Sequence, residues 1–449
     1  MRLIPAVFAL SVALLVAGAS AVAGVFLVVT FGGGPTDALL FPVFIVAIFC
    51  LGGLFFSGRT VPMPTTASGW LAAAGTQPAC HPYFLLVGAW VTLILSGLNF
   101  TESFYRPVEA WDAVRYWAPE AKKIMLWIDE GVERSSTWFF AGDHPAFISS
   151  LLAVNGMISR LLPLNYAVTS IWAAYGAAWL GLGMTLAATL LPRGVNSLIY
   201  ATLILILICN LPLLHAQFAL GGSAEAIAAT YLLLGVCFVV IYVQKNDSRS
   251  FGVGGSLFFA PLLIKDSGWI VPISFFLSWF LVGAFLQFRH VAILTLFTTV
   301  AILMLSVSFE IEALKISSGR WRLPIEEQSL TRSWEVLKSV FKALFFTQSF
   351  GTLPLVAVAM RLFVAFGVQK TTHSRFFNMW GDILGLSGVC ILTLLTVAAM
   401  LTSYMYASTL WGTDVLWSRS ALMAMPFFIG SAVLSACSIL EAESRATIS

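Results

Sequence analysis

The run Tyr83-Phe-Leu-Leu-Val-Gly-Ala-Trp-Val-Thr-Leu-Ile-Leu-Ser-Gly-Leu98 is apolar throughout, and soon after it the chain reads Glu109-Ala-Trp-Asp112-Ala-Val-Arg115-Tyr116-Trp-Ala-Pro119-Glu120-Ala-Lys122-Lys123. The first stretch has the length and polarity of a membrane span. The second packs charge into a chain whose charged fraction is only 10%. A charged segment directly after a span faces water where the helix leaves the bilayer. An enzyme acting on a lipid-anchored substrate needs its acidic residues at that level.

The rest of the composition extends this reading. Hydrophobic residues make up 59% and aromatic residues 14%, and the mean hydropathy is +0.91. A soluble globule needs far more charge on its surface, so the expectation is an all-α polytopic membrane protein. Its 449 residues accommodate about a dozen spans at roughly 20 residues each plus loops, in one integral membrane domain. The net charge of +3 carries no signature of a nucleic-acid partner. The six cysteines include no CxxC pair and have no histidine at ligand spacing, so neither a disulfide framework nor a zinc site is supported. The apolar run after Met1-Arg2 is too long for a signal-peptide core and is read as a retained span.

Apolar runs place spans near Leu3 to Thr30, Leu39 to Phe56, Tyr83 to Leu98, Asn165 to Leu191, Ser197 to Leu214, Ala224 to Val243, Gly252 to Ile264, Trp269 to Leu286, Val291 to Ser308, Gly351 to Val368, Ile383 to Tyr406 and Ala421 to Leu440. Ala146 to Leu162 is apolar but broken by Asn155, Gly156 and Arg160. It is expected at the interface, or re-entrant. With the N-terminus inside, Arg59, Arg193, the Lys245 to Arg249 turn, Arg289, Lys370, Arg375 and Arg445 fall in cytoplasmic loops, as the positive-inside rule prefers. The outward loop from Asn99 to Asp143 carries five Lys/Arg, offset by eight Asp/Glu.

This topology collects unusual polar residues on the outer face: Asp112 with Arg115 and Tyr116, Asp143-His144-Pro145, His215, Gly221-Gly-Ser-Ala-Glu225, Lys265-Asp266, the charged stretch Glu310 to Lys342, and Arg419. Ionisable groups at membrane depth are costly and tend to be functional. In glycosyl transfer from a phosphate-linked lipid the phosphate is already a good leaving group, so the protein needs a base and cations. A carboxylate takes the proton of the acceptor hydroxyl as it attacks the anomeric carbon from the opposite face, inverting it. Asp112 is the candidate base; Lys265, Arg419 and Arg115 are candidate phosphate partners. His144, Glu225, Asp266, Tyr116 and His215 are candidate cavity residues.

Each of these residues has a plainer reading. Asp112 suits a solvated carboxylate on an amphipathic helix, and Glu109, Glu120, Asp129, Glu130 and Glu133 suit its wet face. His144 suits a turn. Glu225 can cap its own helix, and Lys265-Asp266 can neutralise itself where two short helices meet. Trp334, Leu337, Phe341, Leu344 and Phe345 repeat at helical spacing opposite Glu335, Lys338 and Lys342, which predicts an interfacial helix acting as a lid or anchor.

Four stretches in this order, Trp111-Asp112-Ala-Val-Arg-Tyr116-Trp-Ala-Pro119, His144-Pro145, Gly222-Ser-Ala-Glu225 and Lys265-Asp-Ser-Gly268, resemble the GT-C superfamily of membrane glycosyltransferases. The nearest likeness is to its protein O-mannosyltransferase and aminoarabinose-transferase branch, over about Tyr83 to Leu440. The resemblance implies that Asp112 acts as base or metal ligand, with a divalent cation, Mg or Mn, as the cofactor. It also implies two juxtamembrane helices, near Ala110 to Gly131 and Ala146 to Leu162, and a lipid-phosphate contact from Arg419 in Ser418-Arg-Ser-Ala-Leu-Met-Ala-Met-Pro426. The family's Asp-Glu doublet is absent, since Ala113 follows Asp112.

The expected organisation is two additional N-terminal spans with a cytoplasmic loop over 1–82, then a GT-C-like domain over 83–440. That domain carries an outward loop over 99–164 and a second over 309–350, and a cytoplasmic tail covers 441–449. The expected activity is inverting transfer of a sugar from a polyprenyl-phosphate donor to a glycan, lipid or protein acceptor at the outer face of a prokaryotic plasma membrane. The alternatives are a secondary transporter or lipid flippase, or a noncatalytic subunit of a polysaccharide assembly complex. The absence of a soluble domain after the last span fits a compact prokaryotic enzyme.

Overall fold

The computed structural model describes residues 3–34, 82–105, 116–134, 145–161, 170–191, 196–221, 223–285, 350–367, 372–401 and 419–446, with isolated helical positions at 338, 340 and 344. Among these residues the secondary structure is helical and contains no strand. Five helices are long and apolar enough to cross a membrane, or six if one bent pair counts as a span. Four shorter apolar helices coincide with the spans predicted at Tyr83, Gly252, Trp269 and Gly351. The spans predicted at Leu39 to Phe56 and Val291 to Ser308 lie outside the described residues, as does most of the helix predicted around Trp334 to Phe345.

The chain forms two compact units, Met1–Pro192 with His215–Thr230, and Arg193–Leu214 with Tyr231–Ser449. In the first, α1 (Leu3–Phe31) and α2 (Pro82–Tyr105) both pack on α5 (Ser170–Ala188). Two short helices, α3 (Ala118–Asp129) and α4 (Phe147–Leu161), pack on each other and on α1. At 15 residues, α4 reaches only about 22 Å. That is short of a bilayer core.

The second unit is built around α14 (Met425–Ala446), which is entered through a 3₁₀ turn at Leu422–Ala424. The apolar stretch of this last helix is 100% buried, against 50% for that of α13 (Thr372–Leu401). The final span is therefore enclosed by protein, and α13 keeps a face for lipid. α12 (Leu353–Gly367), α13 and α6 (Ser197–Cys209) all pack on α14, and α11 (Ile270–Phe285) packs on α13. Small residues allow the close approach of α13 and α14: Ser431 lies against Gly385 and Phe428 against Gly388.

Three predicted spans need correction. The run from Ser197 to Leu214 is not one straight helix, because α6 ends at Cys209 and α7 (Pro212–Leu220) leaves at 52°. Pro212 has no N–H to continue the ladder, and Asn210 ends α6. The run from Gly252 to Ile264 is two helices, α9 (Ser248–Leu257) and α10 (Ala260–Ile264), parted at Phe258–Phe259 just before Pro261. The helix carrying the span predicted from Ile383 begins at Thr372 and its apolar stretch at Phe376, which draws Asp382 inside α13. The remaining helix, α8 (Ala224–Lys245), ends at Asn246, whose φ of 55° turns the chain towards α9.

Candidate functional site

The first unit assembles polar groups around the start of α8. Gly221 follows α7 with φ +67°, a conformation glycine adopts without penalty, and its N–H is taken by the Gln217 carbonyl at 3.2 Å. Ser223 then caps α8. Its hydroxyl donates to Oε2 of Glu225 at 3.0 Å and receives the Ala226 N–H at 3.4 Å. The Trp172 indole donates to the Ser223 carbonyl at 3.0 Å. Ser223 and Glu225 are fully buried. The Glu225 carboxylate is thus enclosed near the positive end of a long helix dipole and bonded to the residue that caps the helix.

One turn further along α5, Gly176 opens a close contact with Phe218 and Asn99. A Cβ at Gly176 would stand 3.2 Å from the Asn99 amide nitrogen. Asn99 is buried, and among the described residues its amide nitrogen meets no acceptor. Sequence reasoning passed over Asn99, although a lone amide closing the apolar run at Leu98 was a readable signal. His215 is half-buried on α7 in the same unit.

Tyr116 is half-buried at the head of α3, beside buried Trp117. Ala121, Ile124 and Ile128 turn inward, while Lys122, Lys123, Glu130 and Glu133 face out. The acidic residues after Pro119 therefore form the expected wet face. Lys123 pairs with Glu120 at 3.2 Å. Arg160 at the end of α4 holds Asp129 at 2.6 Å, and Gly156 leaves room for the Met125 side chain. The Arg134 guanidinium lies 4.9 Å from the Trp127 ring centroid, and its backbone N–H donates to the Val29 carbonyl at 2.8 Å. Asp112, Arg115 and His144 lie outside the described residues.

The second unit holds Lys265 and Arg419. Lys265 is half-buried and extended, with φ −151° and ψ 147°, where α10 gives way to the 3₁₀ turn Asp266–Trp269. Its N–H donates to the Pro261 carbonyl and its own carbonyl accepts from Gly268, both at 2.9 Å. Gly268 is required because a Cβ there would collide with the Pro261 carbonyl. The helix break expected at Lys265-Asp266 is therefore present; the Asp266 side chain lies outside the described residues. Arg419 is half-buried just before the final helix.

A second charged site was missed by sequence reasoning. Arg361 on α12 and Asp382 on α13 form an ion pair at 2.6 Å. Its signal was a lone Arg within the apolar run Val358 to Phe366. Cys209, Cys237, Cys390 and Cys437 are free thiols. Among the described residues no group of three His, Cys, Asp or Glu side chains stands close enough to hold a metal ion. No family model, curated protein or solved structure matches the chain.

Proposed function

We propose that the chain is an inverting membrane glycosyltransferase of GT-C type, moving a sugar from a polyprenyl-phosphate donor to a glycan, lipid or protein acceptor outside the membrane. The observation that carries this reading is the α3–α4 pair. Two short helices follow α2, pack face to face and are joined by Arg160 on Asp129. A pair lying along the membrane surface can hold a water-borne acceptor against a lipid-borne donor, and a transporter has no need of it. Asp112 stands six residues before α3, so its carboxylate would enter the site from the same loop.

In the proposed reaction Asp112 accepts the acceptor hydroxyl's proton as the oxygen attacks the anomeric carbon. The bond from that carbon to the lipid phosphate breaks on the opposite face. Arg115, Lys265 and Arg419 are assigned to the phosphate charge that develops. Glu225, already bonded to Ser223, is assigned to shaping the entry of α8.

The test is sugar transfer by protein purified into lipid nanodiscs with a radiolabelled polyprenyl-phosphate sugar. Asp112→Asn preserves shape and removes the base, with an expected loss of about 10²–10⁴-fold in turnover. Wild-type turnover by the folded variant would falsify the base assignment. The rival, a transporter or flippase, draws support from the helix breaks at Asn210–Leu211 and Lys265. A cysteine introduced as Lys265→Cys that reacts alternately with reagents from either side would favour that rival.

A further inference from the structure

Three helices of the second unit converge on one arginine. Arg361 Nε and Nη2 both donate to Oδ1 of Asp382, at 3.0 and 2.6 Å. Nη2 also donates to the Asn378 carbonyl at 3.1 Å, and Nη1 to the Ser435 hydroxyl at 3.4 Å. Gly381 makes room for this fork, since a Cβ there would lie 2.7 Å from Nη1. The Asn378 side chain is itself taken by Ser438 at 2.8 Å. Only 11% of the Arg361 side chain is exposed, against 51% of Asp382. The guanidinium is thus spent inside the protein, while the carboxylate gives it one oxygen and stays half-exposed.

The depth of this carboxylate limits what can meet it. The 30 residues of α13 extend about 45 Å, the full thickness of a bilayer with its headgroup layers. Its apolar stretch begins at Phe376. Asp382 comes about 9 Å further in, with its Cβ tilted back towards the helix N-terminus and the membrane surface. Arg361 donates to only one of its two oxygens, so this half-exposed carboxylate near the headgroup boundary keeps the capacity to accept from a further donor. On α12, the helix that carries Arg361, Leu355, Val358, Leu362 and Phe363 are exposed and apolar. Only residues 368–371 separate α12 from α13, so this face descends from the same membrane surface.

We infer that Asp382 and the outward face of α12 form a binding site for an aminophospholipid. Its primary ammonium donates to Oδ2 of Asp382, and its acyl chains lie along Leu362, Phe363, Val358 and Leu355. Arg361 is the positioning residue, holding the carboxylate in place without satisfying it. A quaternary ammonium cannot donate the same hydrogen bond, so phosphatidylethanolamine is favoured over phosphatidylcholine. An anionic lipid lacking an amine is not favoured.

The experiment exchanges the full-length protein into micelles holding equal dioleoyl phosphatidylethanolamine, phosphatidylcholine and phosphatidylglycerol, and counts retained lipids by native mass spectrometry. Wild-type protein should retain phosphatidylethanolamine over phosphatidylcholine by roughly tenfold. Asp382→Asn should remove that preference and Asp382→Glu should keep it. Equal retention by wild type overturns the site, as does preferential retention of phosphatidylglycerol. Preference undiminished in Asp382→Asn overturns the assignment to this carboxylate. The wild-type comparison decides the matter even where Asp382→Asn does not fold.

Discussion

Ser223 donates its hydroxyl to Oε2 of Glu225 across 3.0 Å, and neither residue has any exposed surface. A carboxylate shut away from water is costly unless hydrogen bonds and a favourable dipole meet it, and the start of α8 supplies both. Glu225→Gln keeps the shape and the acceptor oxygen, and should lower stability by about 1 kcal/mol. Glu225→Ala removes both and leaves a void, at a cost of about 1–3 kcal/mol. Thermal unfolding in detergent checks the order. An alanine variant melting with wild type would mean that the capping contact contributes nothing.

The Arg361–Asp382 pair has an unequal environment, which sets what its removal should do. Arg361→Met strips donors from Asp382, Ser435 and the Asn378 carbonyl together. Because Asp382 stays half-open to its surroundings, the loss should be smaller than for a fully buried pair, about 1–3 kcal/mol. Arg361→Met with Asp382→Leu should regain part of it, since no unpaired charge remains. A double-mutant cycle on unfolding midpoints gives the coupling, and strict additivity would show that the pair is not energetically linked.

The same two residues show where sequence reading ran out. Hydropathy found the apolar runs, because each span must be apolar over most of its length, and it marked the break at Lys265, where two charges interrupt a run. It could not say which runs are central. Hydropathy does not separate Ala421 to Leu440 from its neighbours, yet α14 is enclosed and α13 is half-open. Asp382 was set outside the membrane because a window centred on apolar residues begins after the last charge. Arg361 pulls it inside, and that pairing joins positions 21 residues apart on separate helices. Asn99 was passed over for a related reason, since an amide at the end of a span reads as a boundary until Gly176 and Phe218 are seen to enclose it.

Gly235 on α8 and Gly254 on α9 meet backbone to backbone. A Cβ on Gly254 would stand 2.8 Å from the Gly235 carbonyl oxygen, and one on Gly235 would stand 2.9 Å from the Phe258 ring. Backbone cannot yield as a flexible side chain does, so Gly254→Ala should destabilise by about 1–3 kcal/mol and Gly235→Ala by a similar amount. Gly252, whose Cβ position is open, is the control on the same helix. Alanine there should be neutral to slightly stabilising, through its better helix propensity. Comparing the three melting temperatures separates close packing from propensity. A Gly254→Ala protein as stable as Gly252→Ala would contradict the contact.

The turn between α8 and α9 carries a pH dependence whose sign can be stated. Asp247 caps α9, accepting from the Ser250 hydroxyl at 2.7 Å and from the Arg249 N–H at 3.2 Å. The Ser250 hydrogen bond, opposed by partial burial and aided by the backbone amides and the Arg249 charge, holds its carboxyl below the ordinary value of 3.8. A carboxyl whose folded pKa is lowered binds protons less readily folded than unfolded. Its contribution is therefore complete above the unfolded value and is lost as pH falls through the lower, folded one. Wild-type stability should decline over that acidic window by more than that of Asp247→Asn. Near neutral pH Asp247→Ala should cost about 1 kcal/mol. Melting temperatures of wild type and both variants, from neutral pH down through the acidic window below the ordinary carboxylate value, provide the measurement. Parallel curves for wild type and Asp247→Asn would remove the charge from the cap and leave only its geometry.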